Sequence, residues 1–197
     1  CASTLPFPPK PPGKWCHGYR FLYFGSICHC AGGQVHTNGP LTRYEFYFEK
    51  DQVNSRTFIS GHKHDWENVV VFVKNAKVIH TAVSCHGKYG GGSNTILGGE
   101  NKTHPYIVYH KDSTFTHCFR EASGADIAGP ENFSGEFYAS PVIGYAGWPA
   151  DGLAWNGLLK AFPDGVSPKI QEKYYGDYLK MAAGDNVPGF DPYVDVA

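Results

Sequence analysis

Residues 61–67 read Gly61-His62-Lys63-His64-Asp65-Trp66-Glu67, and Val69-Val70-Val71-Phe72-Val73 follows after Asn68. The first stretch packs two imidazoles, two carboxylates, an ammonium and an indole together. The second is apolar on both faces, so it reads as a buried central strand. Ionisable groups fused to a core strand are costly unless they meet a cation or one another. On an extended strand Asp65 and Glu67 share one face, while His64 and Trp66 share the other. Two carboxylates on one face suit a hard cation with oxygen ligands. The plainer alternative is a half-exposed strand end with a solvated acidic face.

Strand alternation sets His62 and His64 opposite Asp65 and Glu67. His62 joins the carboxylates only if the chain bends near Lys63, and Ser60-Gly61 allow a turn there. For His64 the ordinary outcome is a buried ring hydrogen-bonded to backbone. Trp66 reads as core or pocket wall. The remaining histidines, His17, His29, His36, His80, His86, His104 and His110, show no metal spacing and are taken as surface or loop residues.

The heptapeptide 61–67 resembles the signature of the necrosis- and ethylene-inducing-peptide-like proteins, secreted microbial cytolysins that act on plants. Lys63 stands where the family usually has Arg. Tyr47-Phe48-Glu49-Lys50-Asp51 resembles an upstream family stretch, with Glu49 in place of Pro. The resemblance implies a β-sandwich, one divalent cation (Mg²⁺ or Ca²⁺) and binding to glycosylated sphingolipid head groups of the plant plasma membrane. It implies Asp51, Asp65 and Glu67 as direct ligands, with His62 near the metal through water. Asp51 enters on the resemblance, because Lys50-Asp51-Gln52 by itself reads as loop after a strand. His117, in Phe115-Thr116-His117-Cys118-Phe119, resembles a family histidine facing the metal pocket. Lys63 and His64 are assigned with His117 to the head-group pocket.

Three departures from the family pattern bear on activity. Ser113 stands where cytolytic members often place a Trp, a favoured interfacial anchor. Lys63 supplies a point charge where a guanidinium would clamp two oxygens. Cys118 stands where Ala is usual, and the chain has more cysteines than the best-known members. The expectation is a head-group binder that is weakly cytolytic or inactive. Two other readings compete: a calcium-dependent lectin-like sugar binder without membrane activity, and a metal-dependent hydrolase. Carboxylates, an imidazole and a divalent ion can activate water. Against the hydrolase, no nucleophile elbow or second-metal motif is present, and the expected answer is a non-enzyme.

The positioning elements are mostly strands. Tyr44, Phe46 and Phe48 alternate with Arg43, Glu45 and Tyr47, which predicts a half-buried strand. Asp65 to Val73 is the central strand, and Lys74-Asn75-Ala76-Lys77 turns it into Val78 to Ser84. Tyr19 to Phe24 is another strand. His86 to Gly92 reads as a Gly-rich loop. Tyr106–His110 and Thr114–Phe119 form a hairpin around Lys111-Asp112-Ser113. Leu153 to Phe162 is a weak helix. Ser167-Pro168 opens a better one, with Ile170, Tyr174, Tyr178 and Ala182 at helical spacing and Gly184 ending it. The fold class is mainly β, a β-sandwich with a few peripheral helices. Residues 1–15 are a Pro-rich extended arm, and 16–197 one domain.

Composition agrees. The 197 residues carry a net charge of −1, so no bulk attraction to nucleic acid is expected. Aromatics make up 15% of the chain, beside 24 Gly and 14 Pro, which suits short strands and tight turns. No apolar run is long enough to span a bilayer. The missing leader before Cys1 is read as a removed signal peptide, and the protein as a secreted, extracellular monomer. The six cysteines, Cys1, Cys16, Cys28, Cys30, Cys85 and Cys118, then fit three disulfides. Connectivity is not readable from spacing. The resemblance implies a bridge from Cys16 to Cys28 or Cys30. Asn101-Lys102-Thr103 and Asn132-Phe133-Ser134 are possible glycosylation acceptors.

Overall fold

Val69 to Val73 lies toward the C-terminal end of strand β3 (Ser60–Lys74), paired on one side as far as Phe72 and on the other throughout. The structure is a computed structural model. It describes residues 26–31, 41–53, 60–99, 102–112, 116–131, 134–137, 142–144, 157, 160–162, 165–170 and 172–195. The main sheet runs in the order β10-β1-β2-β3-β4-β5. Its members are β1 (Ser26–Ala31), β2 (Leu41–Val53), β3, β4 (Lys77–Cys85), β5 (Lys88–Gly92) and β10 (Val142–Gly144). Neighbours are antiparallel except β1 and β10, which run parallel. Two short strands, β6 (Leu97–Gly98) and β7 (His104–Pro105), pair separately. A hairpin of β8 (Ile107–Lys111) and β9 (His117–Glu121) forms a third small sheet.

The two faces of the main sheet have different covers. On one face Phe48, Val69, Val71 and Val83 pack against Tyr109 and Phe119 of the hairpin. The Phe48 and Tyr109 rings stack with centroids 3.9 Å apart. On the other face Leu41, Val70, Phe72 and Ala82 pack against Leu179, Ala182 and Ala183 of helix α2 (Glu172–Ala183). Each such fully buried aliphatic or aromatic side chain contributes about 1.5–3 kcal/mol. The architecture is therefore mainly β, with a few short helices outside the sheets. These include α1 (Gly124–Ala128), capped by Ser123, and α3 (Pro192–Asp195).

The β3–β4 turn falls on Asn75-Ala76, as expected. Both have positive φ (52° and 60°), the twist a two-residue hairpin requires. The β8–β9 hairpin is also as expected, and Ser113 to Phe115 lie outside the described residues. Other expectations are corrected. Lys88 to Gly92 is an edge strand rather than loop. A Cβ on Gly91 would sit 2.1 Å from the Thr81 carbonyl oxygen, so Gly lets this strand come close. Ser167-Pro168 does not open the helix, which begins at Glu172, and Pro168 is buried outside it. The buried helical face is Leu179, Ala182 and Ala183, and Tyr174 is exposed. The run 170, 174, 178, 182 steps by four and drifts off a 3.6-residue period.

Strand β2 is not half-buried. Arg43 and Glu45 are fully buried under α2, joined by an Nε–Oε1 hydrogen bond of 2.7 Å. The Arg43 guanidinium lies 5.4 Å and 5.6 Å from the Tyr175 and Tyr178 ring centroids. Burial holds the Glu45 carboxyl above its ordinary value, with Arg43 opposing. His80 is also not a surface residue: it is buried, and its Nε2 donates to the Ala182 carbonyl at 3.1 Å. Strand 19–24, most of 153–162, the arm 1–15, Cys1, Cys16, Asn101 and Asn132 lie outside the described residues.

Candidate metal centre

Strand β3 is longer than its neighbour β4, and this mismatch makes the site. The β3–β4 ladder ends at Val69↔Val83. From there β3 runs on toward Ser60 with β2 on one side only. Asp65 and Glu67 therefore lie along an open strand edge. Glu67 is reached by the Ser84 hydroxyl from the end of β4, which donates to Oε2. Asp65 is reached from the hairpin, where Tyr109 donates from its hydroxyl to Oδ2 at 2.8 Å.

Asp51 and His62 arrive at the same place through a backbone irregularity. His64 has φ +67°, a left-handed conformation uncommon outside Gly. The β2–β3 register keeps Phe48↔Asp65 and Lys50↔Lys63 but has no Glu49↔His64 pair between them. Beyond this break the strict alternation of faces no longer holds. The bend that His62 requires is present one residue beyond Lys63, at His64. Asp51 lies inside β2, 1% exposed, so the loop reading of Lys50-Asp51-Gln52 is corrected. Its Oδ1 accepts from His117 Nδ1 at 2.7 Å, and its carboxylate also accepts from the His117 backbone N–H at 3.2 Å. His62 Nε2 stands 3.5 Å from Asp51 Oδ2.

Asp51, His62, Asp65, Glu67, Ser84 and His117 all line one cavity of about 260 Å³. Trp66 lines it too, as expected of a pocket wall. Lys63 is exposed and His64 half-buried, and neither lines this cavity. His64 Nδ1 shares a 2.5 Å hydrogen bond with the Tyr47 hydroxyl rather than with backbone. Its ring meets Phe162 edge-on. Sequence reasoning missed Tyr109 and Ser84. Each sits in a strand the sequence did reveal, but nothing in the sequence states which residues of separate strands lie opposite the carboxylates.

The electrostatics favour a cation. Burial pushes the Glu67 carboxyl up to about 9, and the neighbouring Asp65 carboxylate adds to this. Burial likewise raises Asp65, against the Tyr109 hydrogen bond. Burial and then the Asp65 carboxylate hold the Tyr109 phenol far above its usual range. The Asp65 and Glu67 carboxyl groups thus resist ionising together, and a positive ion beside them relieves that cost. The donors nearest the carboxylates are mostly oxygen, with the imidazoles of His62 and His117 beside them, and the cavity has room for several waters at about 30 Å³ each. These residues fit a hard divalent cation held partly through water. A tighter group, with ligand atoms within 4.8 Å of one another, is Cys85, His86, Asp112 and Cys118. Cys85 and Cys118 are joined as a disulfide, which removes both thiolates from it. Two of the six expected cysteines are therefore paired with each other. The side chains of Cys28 and Cys30 are not described.

Solved structures with this fold define a class, the NLP proteins. NLPPya in complex with mannosamine superposes with a TM-score of 0.60 at 19% identity, covering 80% of this chain and 66% of that one. A protein described as non-toxic HaNLP3 gives a TM-score of 0.59 at 19% identity, covering 80% of this chain and 67% of that one. Such likeness establishes the fold. The sequence model of the family described as Necrosis inducing protein (NPP1) matches residues 33–182, and the chain belongs to that family. It is 33% identical over 126 residues to NLP effector protein 10 of Phytophthora capsici, covering 59% of this chain and 50% of that protein. The chain thus spans about half the length of the curated relative it matches.

Proposed function

We propose that this chain is a secreted, non-enzymatic effector that binds a sugar head group through a divalent cation held by Asp51, Asp65 and Glu67. The ligand class is the glycosylated sphingolipid of the plant plasma membrane. The observation that carries the reading is the convergence of those three carboxyl groups and the His62 imidazole on one cavity, with Asp65 and Glu67 both raised by burial. A bound divalent cation would offer exchangeable water positions to sugar hydroxyls. The chain's own residues do the rest. Asp51 is oriented by His117, Asp65 by Tyr109 and Glu67 by Ser84, and because their oxygens are not gathered as tightly as the Cys85 group, they draw together or bind partly through water. His62 directs Nε2 at the same space to accept from a water or sugar hydroxyl.

Two facts support sugar binding and an extracellular setting. NLPPya has been solved with mannosamine and with glucosamine. The Cys85–Cys118 disulfide suits an oxidising compartment. Among the described residues no helix is long and apolar enough to cross a membrane. This reading has the protein contact the bilayer from outside, as a monomer.

A second reading, sugar binding with weak or no lysis, is favoured by this chain's own departures at Ser113 and Lys63. Binding to immobilised plant glycosylated sphingolipid, with and without chelator, tests the metal-dependent sugar step. Dye leakage from vesicles containing that lipid tests lysis. Chelator-insensitive binding contradicts the proposal, and binding without leakage selects the second reading.

A further inference from the structure

Four potential metal ligands of a different chemical type meet at the rim of the cavity, which His86 also lines. Cys85 ends β4, His86 follows it with φ +50°, Asp112 follows β8, and Cys118 lies in β9. One ligand atom from each lies within 4.8 Å of the others. His86 Nε2 is 3.0 Å from Asp112 Oδ2, and both side chains are more than 40% exposed. The Asp112 backbone N–H donates to the Thr116 carbonyl at 3.2 Å. His110, the cross-strand partner of Cys118, brings its Nε2 to 3.8 Å from the Cys118 sulfur. The disulfide occupies this group while it is oxidised.

We propose that Cys85, His86, Asp112 and Cys118 form a redox-exposed zinc site, closed by the disulfide when oxidised and able to bind Zn²⁺ when reduced. Two thiolates, an imidazole and a carboxylate are a donor set that favours zinc over Mg²⁺ or Ca²⁺. Tetrahedral bonds of about 2.0–2.3 Å place ligands about 3.3–3.8 Å apart, so side-chain rotation completes the set. The exchange balances. A dithiol reductant attacks the half-buried Cys85 sulfur and expels the Cys118 thiolate, which takes up a proton. The reductant's second thiol then resolves the mixed disulfide, leaving Cys85 as a thiol and the reductant as its own disulfide. Zn²⁺ entry displaces one proton from each thiol. The rim is then tied by a disulfide in an oxidising setting and by a metal in a reducing one. This inference stands whether or not the carboxylates hold a cation.

Co²⁺ is the probe, because a thiolate-bound cobalt gives a near-ultraviolet charge-transfer band that an oxygen site cannot give. The protein is reduced with dithiothreitol, desalted without oxygen and titrated with Co²⁺, then with Zn²⁺ to displace it. The expected result is a thiolate-to-cobalt band in the reduced protein only, lost in Cys85→Ser/Cys118→Ser, which keeps the other four cysteines. His86→Ala, which keeps every cysteine, should lower apparent affinity by more than about tenfold, the scale that even outer-shell partners reach. A band that persists in the double variant, no band in reduced wild type, or unchanged affinity in His86→Ala overturns the proposal. Should the double variant not fold, the His86→Ala comparison decides alone.

Discussion

His62 Nδ1 donates to the backbone carbonyl of His64 across 2.7 Å. A carbonyl only accepts, so the proton is on Nδ1 and a neutral ring keeps a lone pair on Nε2. That atom is the one 3.5 Å from the Asp51 carboxylate. A neutral ring in this position needs a water or cation between Nε2 and the carboxylate, whereas a doubly protonated ring pairs with Asp51 directly. The left-handed backbone at His64, about 1 kcal/mol in cost, is what turns the His62 ring to this position.

His62→Ala should therefore weaken divalent-cation affinity by about tenfold. Its side chain is 46% exposed, so cation-free stability should change by less than about 0.5 kcal/mol. Calorimetric titration with Ca²⁺ and Mg²⁺ measures this, with Lys63→Ala as control. Equal losses in both variants would show that the histidine has no special place.

Glu67 makes the cation-free protein sensitive to pH. Its carboxyl titrates at about 9 in the fold against an ordinary 4.5. As pH rises the unfolded chain ionises first, so the fold loses stability across the window from 4.5 to about 9. Glu67→Gln removes that loss. In chelator at pH 8 its melting temperature should exceed wild type by about 4 °C or more, with little difference near pH 4. In excess cation the order should reverse. A variant less stable than wild type in chelator at pH 8 refutes this assignment.

Tyr109→Phe removes the hydrogen bond that opposes the rise of Asp65. Leaving a buried carboxyl oxygen without its donor should cost about 1–3 kcal/mol. Asp65 should then ionise at higher pH, and cation-induced stabilisation should shift to higher pH with it. Thermal shifts recorded from pH 5 to pH 9 with and without cation, about two units either side of neutrality, read this directly. An unshifted profile would mean that Tyr109 only packs.

The Cys85–Cys118 bridge spans 33 residues. Chain-entropy estimates for such a loop give about 3–4 kcal/mol. Urea unfolding of Cys85→Ser/Cys118→Ser against oxidised wild type should show a loss of that order. Coincident midpoints would indicate that the two cysteines are not joined in solution.

Much of the sheet was legible because it is written in local pattern. Val69 to Val73 announced a strand buried on both faces, and Asn75-Ala76 sat where a hairpin had to turn. The carboxylates of the site were legible through one heptapeptide and one upstream stretch. What could not be read was whatever depends on register or on a single dihedral. Alternation along β3 assigned His62 to the wrong side, and only the φ of His64 reverses that. Arg43 and Glu45 looked like a solvated face, because no local signal foretold that Tyr175 and Tyr178 of a distant helix would cover them. Ser84 and Tyr109 come from other strands, and their reach to Glu67 and Asp65 follows from pairing that sequence spacing does not encode.

The central claim is that Asp65 and its neighbours hold a divalent cation. Thermal denaturation of wild type and Asp65→Ala, each in chelator, Mg²⁺ and Ca²⁺ at neutral pH, tests it most directly. Wild type should melt higher with at least one of the two cations, by about 3 °C or more once the ion is at a hundredfold excess over its dissociation constant. Asp65→Ala should melt at one temperature in all three conditions. A wild-type melting temperature indifferent to chelator and to both ions would contradict the account.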